Sequence, residues 1–158
     1  MTSVIEERLS ELGFEVPEVA AAVAAYVPAL RDGNYVYTAG QLPFVDGKLP
    51  ETGKVGEGEG LVSPARAEEL AQLCALNALA AARGVLGSLD RITQVVKVTA
   101  FVASDPSFTG QPGVANGASV FLGKVFGDLG IHVRSAVGVS VLPLDAPVEI
   151  EFIFRVED

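Results

Sequence analysis

Chemistry in this chain starts from an arginine set among apolar neighbours. Val133-Arg134-Ser135-Ala136-Val137 carries a guanidinium, while Val133, Ala136, Val137, Val139, Val141 and Leu142 read as a short buried strand. Arginine is seldom fully buried unless paired, so it needs a carboxylate from the chain or from a ligand. The chain offers one in Val148-Glu149-Ile150-Glu151-Phe152, where apolar and acidic residues alternate as in a half-exposed strand. Arg134 and Glu149 therefore form the first constellation to explain. Glu151 shares the strand face and is a rival for Glu149's part.

Other chemistries are poorly served. His132 and Ser135 are close in sequence, but a strand sets them on opposite faces and no third group is evident, which argues against a hydrolase triad. His132 reads instead as a strand-entry residue. One histidine and one cysteine cannot build an ordinary zinc site, so no metal is expected. Gly56, Gly58 and Gly60 lie in an acidic loop, a poor phosphate cradle, and no Walker or Gly-x-Gly-x-x-Gly sequence follows a strand. A net charge of -9 without a Lys/Arg cluster makes nucleic acid an unexpected partner. No apolar run is long enough to span a bilayer, and the N-terminus lacks a signal-peptide pattern, so a cytoplasmic protein off the membrane is expected. The lone Cys74, on an apolar helix face, fits a reducing compartment and reads as an inert buried thiol.

The elements that must hold Arg134 and Glu149 follow from periodicity and punctuation. With 158 residues, 49% of them hydrophobic, the chain suits one domain over 1–158, with 1–14 as a helical extension. Ser3-Val4-Ile5-Glu6 reads as a capping box and Gly13 as the stop. From Ala20 to Ala29 helix and strand compete, and a strand is favoured over Tyr26 to Leu30. Asp32-Gly33-Asn34 turns it into a returning strand, Tyr35 to Ala39. Residues 43–62 form a loop with a small hairpin at Asp46-Gly47. Ser63-Pro64 opens the clearest helix, with Glu68 and Glu69 early and Arg83-Gly84 at its end. A long strand over Ile92 to Ala103 follows, with Lys97 reaching solvent, then a helix from about Pro112 to Gly127 in which Asn116 reads as a solvated or locally bonded residue. Strands near 133–142 and 147–156 finish the chain. The order gives an α+β fold: a mixed sheet with both long helices on one face. Its other face is too apolar for water, so an oligomer burying sheet against sheet is expected.

Taken together these segments resemble the RidA/YjgF family, the reactive-intermediate or imine deaminases. The resemblance rests on Tyr26-Val27, Asp32-Gly33-Asn34, Thr38-Ala39-Gly40-Gln41-Leu42-Pro43, Val96-Lys97-Val98-Thr99-Ala100-Phe101-Val102, and Arg134-Ser135-Ala136-Val137 followed by Leu142-Pro143 and Val148-Glu149-Ile150-Glu151. It implies a chorismate-mutase-like fold and a homotrimer with a central barrel, helices outside and sites in the clefts between subunits. It implies that Arg134 holds the carboxylate of a small 2-imino or 2-keto acid, as a guanidinium fork can. Glu149 would position or activate water for attack on the imine carbon. Tyr26 would line the pocket from the neighbouring subunit, with Ala39, Asn116 and the backbone at Ala136 as further substrate contacts. The products would be a 2-keto acid and ammonia, with no cofactor. Ala39 replaces the family's usual serine, Ala136 its usual cysteine, and Gly138 stands where glutamate is common. The alternative is a non-catalytic binder of small carboxylates such as keto acids, retained by the same arginine.

Overall fold

A computed structural model describes residues 3–19 and 25–158. The helix-or-strand competition at residues 20–24 lies outside them. The elements run α1 (Val4–Glu11), β1 (Ala29–Asp32), β2 (Tyr35–Thr38), α2 (Pro64–Leu86), β3 (Ile92–Ala103), α3 (Gln111–Phe126), β4 (Val133–Val139) and β5 (Val148–Val156). Short 3-10 turns at Leu89–Arg91, Gly127–Gly130 and Pro143–Asp145 join some of them.

The strands form one sheet in the order β1-β2-β5-β3-β4. Only β3 and β4 pair in parallel, across the α3 crossover; the other pairs are antiparallel. The sheet is therefore mixed, as expected. Alternation splits β5 cleanly. Val148, Ile150, Phe152, Phe154 and Val156 are buried, and Glu149, Glu151, Ile153 and Arg155 face the other way. Val98, Ala100 and Val102 of β3 join the buried set, and α2 and α3 cover it. Both long helices thus lie on one face, and they touch at Gly117. A Cβ there would come within 1.9 Å of the Glu68 carbonyl oxygen, so only glycine allows that crossing.

The caps sit where the sequence puts them. The Ser63 hydroxyl accepts from the Arg66 N–H and Pro64 takes the first turn of α2. Helix α2 runs through Gly84 to Leu86, because it is Gly87, at φ 79°, that leaves the helical region. Ser3 caps α1 by accepting from the Glu6 N–H, but the reciprocal half of the box is not made; the Glu6 carboxylate bonds Arg83 of α2 instead. Asp90 takes over, accepting from the Ser3 hydroxyl at 2.7 Å and from the N–H groups of Val4 and Ile5 at 3.0 Å. The next residue, Arg91, holds the other end of the chain through the Glu157 carbonyl at 3.1 Å and the Asp158 carboxylate at 2.8 Å.

Two strand readings need correction. β1 starts at Ala29, so Tyr26 lies in the bend before it, about half exposed. β4 stops at Val139 and is not buried within one chain: Val133 is 65% exposed, Val137 45% and Val141, just beyond, 64%. It is an edge strand, and Val133 and Val137, paired with Lys97 and Phe101, lie on the sheet face that no helix covers. No helix among the described residues is long and apolar enough to cross a membrane.

Candidate functional site

Register places Arg134 before any contact is considered. Arg134, Ala136 and Gly138 pair with Val98, Ala100 and Val102, so they share the helix-covered face, at its β4 edge. There Arg134 meets α3. Its Nη1 donates to Asn116 Oδ1 at 2.8 Å and to Ser119 Oγ at 3.2 Å. Both Nη1 hydrogens are then engaged, which leaves the Nε–Nη2 edge as the side on which a carboxylate can be gripped by two parallel bonds. Among the described residues no carboxylate lies within salt-bridge distance of Arg134. The bonds run on beyond Ser119. Its hydroxyl is 2.8 Å from His132 Nε2, and His132 Nδ1 is 2.6 Å from the Gly130 carbonyl oxygen.

Glu149 faces the other way. It pairs with Phe101, three residues along β3 from Arg134's partner Val98, and belongs to the uncovered face. Two strand spacings across and three residues along put the two Cα atoms about 14 Å apart, with side chains on opposite faces. One chain therefore does not form the Arg134–Glu149 constellation read from the sequence.

Glu149 has its own cradle. The β2–β5 ladder pairs Tyr37 with Ile153 and resumes at Gln41 with Ile150, so Thr38, Ala39 and Gly40 stand opposite only Phe152 and Glu151. The extra residue is a bulge, a device that re-aims backbone beside a site. Thr38 Oγ1 accepts from the Phe152 N–H at 3.1 Å, and Asn77 of α2 donates to the Leu42 and Phe44 carbonyls at 3.0 and 3.1 Å. These bonds hold the segment so that Gly40 lies under the Glu149 carboxylate. A Cβ at Gly40 would sit 2.6 Å from Glu149 Oε2. Burial first, and the Glu151 charge second, raise the Glu149 carboxyl above the ordinary glutamate range. No hydrogen bond or ion pair of the Glu149 side chain occurs among the described residues.

The other candidates divide between these two clusters. Asn116 touches Arg134, and Ala136 follows it on the same strand face. Ala39 adjoins Gly40, its N–H bonded to the Pro28 carbonyl at 2.8 Å. Tyr26 makes no hydrogen bond to either cluster among the described residues. The sequence reading missed Ser119, Asn77, and Gly40 as a cradle. The spacing of Asn116 and Ser119, three apart on a helix that otherwise buries apolar residues, was the available signal. Cys74 is fully buried, which pushes its thiol well above the ordinary range, with the Glu149 charge adding to the rise. A cavity of about 350 Å³ between α2 and α3 shares Asn116 with the Arg134 cluster. Its charged lining is Glu68 and Glu69 against the single cation Lys124, a net negative setting that does not favour an anion.

Similarity to known proteins agrees with this architecture. Residues 6–155 match the family described as "YjgF/chorismate mutase-like, putative endoribonuclease". Protein TCP17 of Trypanosoma cruzi is 39% identical over 148 residues, covering 93% of this chain and 91% of that protein. Protein MMF1, mitochondrial, of Saccharomyces cerevisiae is 34% identical over 132 residues, covering 84% and 75%. The crystal structure of Atu1372, a protein of unknown function from Agrobacterium tumefaciens, is 44% identical and superposes with a TM-score of 0.88 over 98% of this chain and 93% of its own. With one five-stranded mixed sheet, two covering helices and a family match over nearly its whole length, the chain belongs to the YjgF/RidA, chorismate-mutase-like family.

Proposed function

We propose that the protein hydrolyses small enamines and imines of the 2-aminoacrylate and 2-iminobutanoate type to 2-keto acids and ammonia. The observation that carries this reading is Arg134. Among the described residues its guanidinium is held through Nη1 alone and matched to no acid, with a two-pronged edge left over. That edge suits the substrate carboxylate. Water adds to the imine carbon, nitrogen departs as ammonia, and the carbonyl oxygen of the product comes from the water. Glu149, its proton affinity raised by burial, takes the water's proton as the C–O bond forms and returns one to the leaving nitrogen.

A carboxylate and an imine carbon are neighbours in such a substrate and cannot span about 14 Å through a sheet. The Arg134 of one subunit must then work with the Glu149 of another. The uncovered face supports association: Leu30, Tyr35, Tyr37, Val133 and Val137 are exposed on it beside the half-buried Phe101 and Ile153. We assign a homotrimer with the three sheets facing inward as a central barrel, its sites in the clefts between subunits, and Tyr26 contributed across a boundary. The endoribonuclease in the family's description is not carried over, because a net charge of -9 opposes a phosphate backbone.

The test is ammonia release from 2-aminoacrylate or 2-iminobutanoate generated in place by a coupled enzyme, with wild type and Arg134→Ala compared. Acceleration by wild type alone is expected. Hydrolysis no faster than the spontaneous rate would refute the reading, and a monomeric sedimentation mass would refute the shared site.

A further inference from the structure

Ser119 and His132 have no part in the reaction written above, yet they connect directly to its arginine. A backbone carbonyl can only accept, so the 2.6 Å contact from Gly130 fixes the imidazole proton on Nδ1. In the neutral ring Nε2 is then an acceptor, and the hydroxyl of Ser119, 2.8 Å away, donates to it. That donation turns the Ser119 lone pairs outward, where Nη1 of Arg134 donates to one of them at 3.2 Å. With the ring neutral, each direction in the series follows from the one before it. All three side chains are partly buried, where misdirected hydrogen bonds are costly.

We propose that Ser119 and His132 are positioning residues: a carbonyl–imidazole–hydroxyl brace that fixes the rotation of the Arg134 guanidinium and so aims its Nε–Nη2 edge at the carboxylate of the ligand. Asn116 Oδ1 takes the second Nη1 hydrogen, so the planar group is gripped through both hydrogens of one nitrogen and is held against rotation about Cδ–Nε. The brace is assembled from α3, the turn at Gly127–Gly130 and the residue before β4, all within one chain. It is therefore in place before any subunit association. The ligand-aiming part of this inference rests on the function proposed above; the orientation of the three side chains does not.

The chain has a single histidine, which makes a spectroscopic test unambiguous. Imidazole nitrogen shifts in 15N-labelled wild type should report the neutral ring with its proton on Nδ1. A ring protonated on Nε2 instead would overturn the proposal. In the same samples the Arg134 Nε–H should be rigid in wild type, mobile in Ser119→Ala and His132→Leu, and rigid again in His132→Gln, whose amide oxygen can replace Nε2 as acceptor. Equal rigidity in all four would also overturn it. Calorimetric titration with pyruvate should show weakening on the order of tenfold in Ser119→Ala and His132→Leu, about the effect of one hydrogen bond to a charged group, and less than threefold in His132→Gln. Equal affinity in all four would overturn the aiming role. Wild type that binds no keto acid would count against the deaminase reading and the aiming role together, while the tautomer and rigidity measurements would still decide the brace.

Discussion

Gly40→Ala should separate activity from stability. The added methyl would meet Glu149 Oε2 at 2.6 Å, Cδ at 2.8 Å and Cγ at 3.0 Å. Comfortable carbon contact is about 3.5–4.0 Å, so the carboxylate must retreat by roughly 1 Å. Everything pressed aside is the far end of one flexible side chain, and Gly40 does not occupy the left-handed region. Alanine at a compatible glycine position stabilises by about 0.4–1 kcal/mol through the unfolded chain, which offsets the crowding. The thermal midpoint should stay within about 3 °C of wild type. Catalysis should not be spared. A misplacement of about 1 Å costs on the order of 10²-fold, so ammonia release per substrate encounter should fall by about that factor. The double variant with Glu149→Gln should lose little more than Glu149→Gln alone, because both changes act on one group. Full activity in Gly40→Ala would refute the cradle. A midpoint lowered by ten degrees would show that Gly40 is needed for folding instead.

Glu149→Gln should raise the thermal midpoint at pH 7 and leave it unchanged near pH 4. The folded-state carboxyl holds its proton more tightly than the unfolded one, so its contribution is fully present at low pH and lost as pH rises through the folded value. Scans at the two pH values check the sign. Asp90→Ala removes the acceptor of the Ser3 hydroxyl and of two α1 N–H groups, and should cost about 1–2 kcal/mol in denaturant unfolding and speed proteolysis of α1. Asp90 works in the opposite pH sense. Burial alone would raise its carboxyl, but bonds from the Ile5 N–H, the Ser3 hydroxyl and the Val4 N–H hold it below the ordinary range. The α1 anchor should therefore loosen as pH falls through that depressed value, which hydrogen exchange on α1 would follow. Gly117→Ala sets a methyl against backbone at 1.9 Å, where nothing can rotate away, and should cost about 3 kcal/mol or prevent folding.

Local signals carried most of the fold. Asp46 and Gly47, both at positive φ, make the small hairpin between Val45 and Lys48, and Gly33 turns β1 into β2. Alternation in β5 gave the two faces of the sheet, whereas the bond from Arg134 to Asn116, read from the sequence as solvated or locally bonded, was not foreseen. What failed was the step from apolar to buried. Val133 and Val137 are apolar and exposed because they lie on the sheet face that no helix of the chain covers, and no pattern within β4 marks which of its faces the helices take. The same gap hid the separation of Arg134 from Glu149: strand spacing fixes each side chain's parity, but opposite faces emerge only once β3 lies between β4 and β5. Asp90 escaped notice because its partners in α1 lie 85 to 87 residues away. Gly84 misled as a helix stop because a glycine without positive φ is only a weak interruption.

Adjacent residues Asp90 and Arg91 bind opposite ends of the described chain, the first holding residues 3–5 and the second Glu157 and Asp158. The two ends are thereby brought to one spot. A short glycine-serine bridge could join them, and the exposed loop at Glu57–Gly60 offers a place to open the circle. Such a permuted chain keeps every strand pair and both clusters intact. It would move new termini to the exposed side of that loop, where a label or a tether could be attached without disturbing α1.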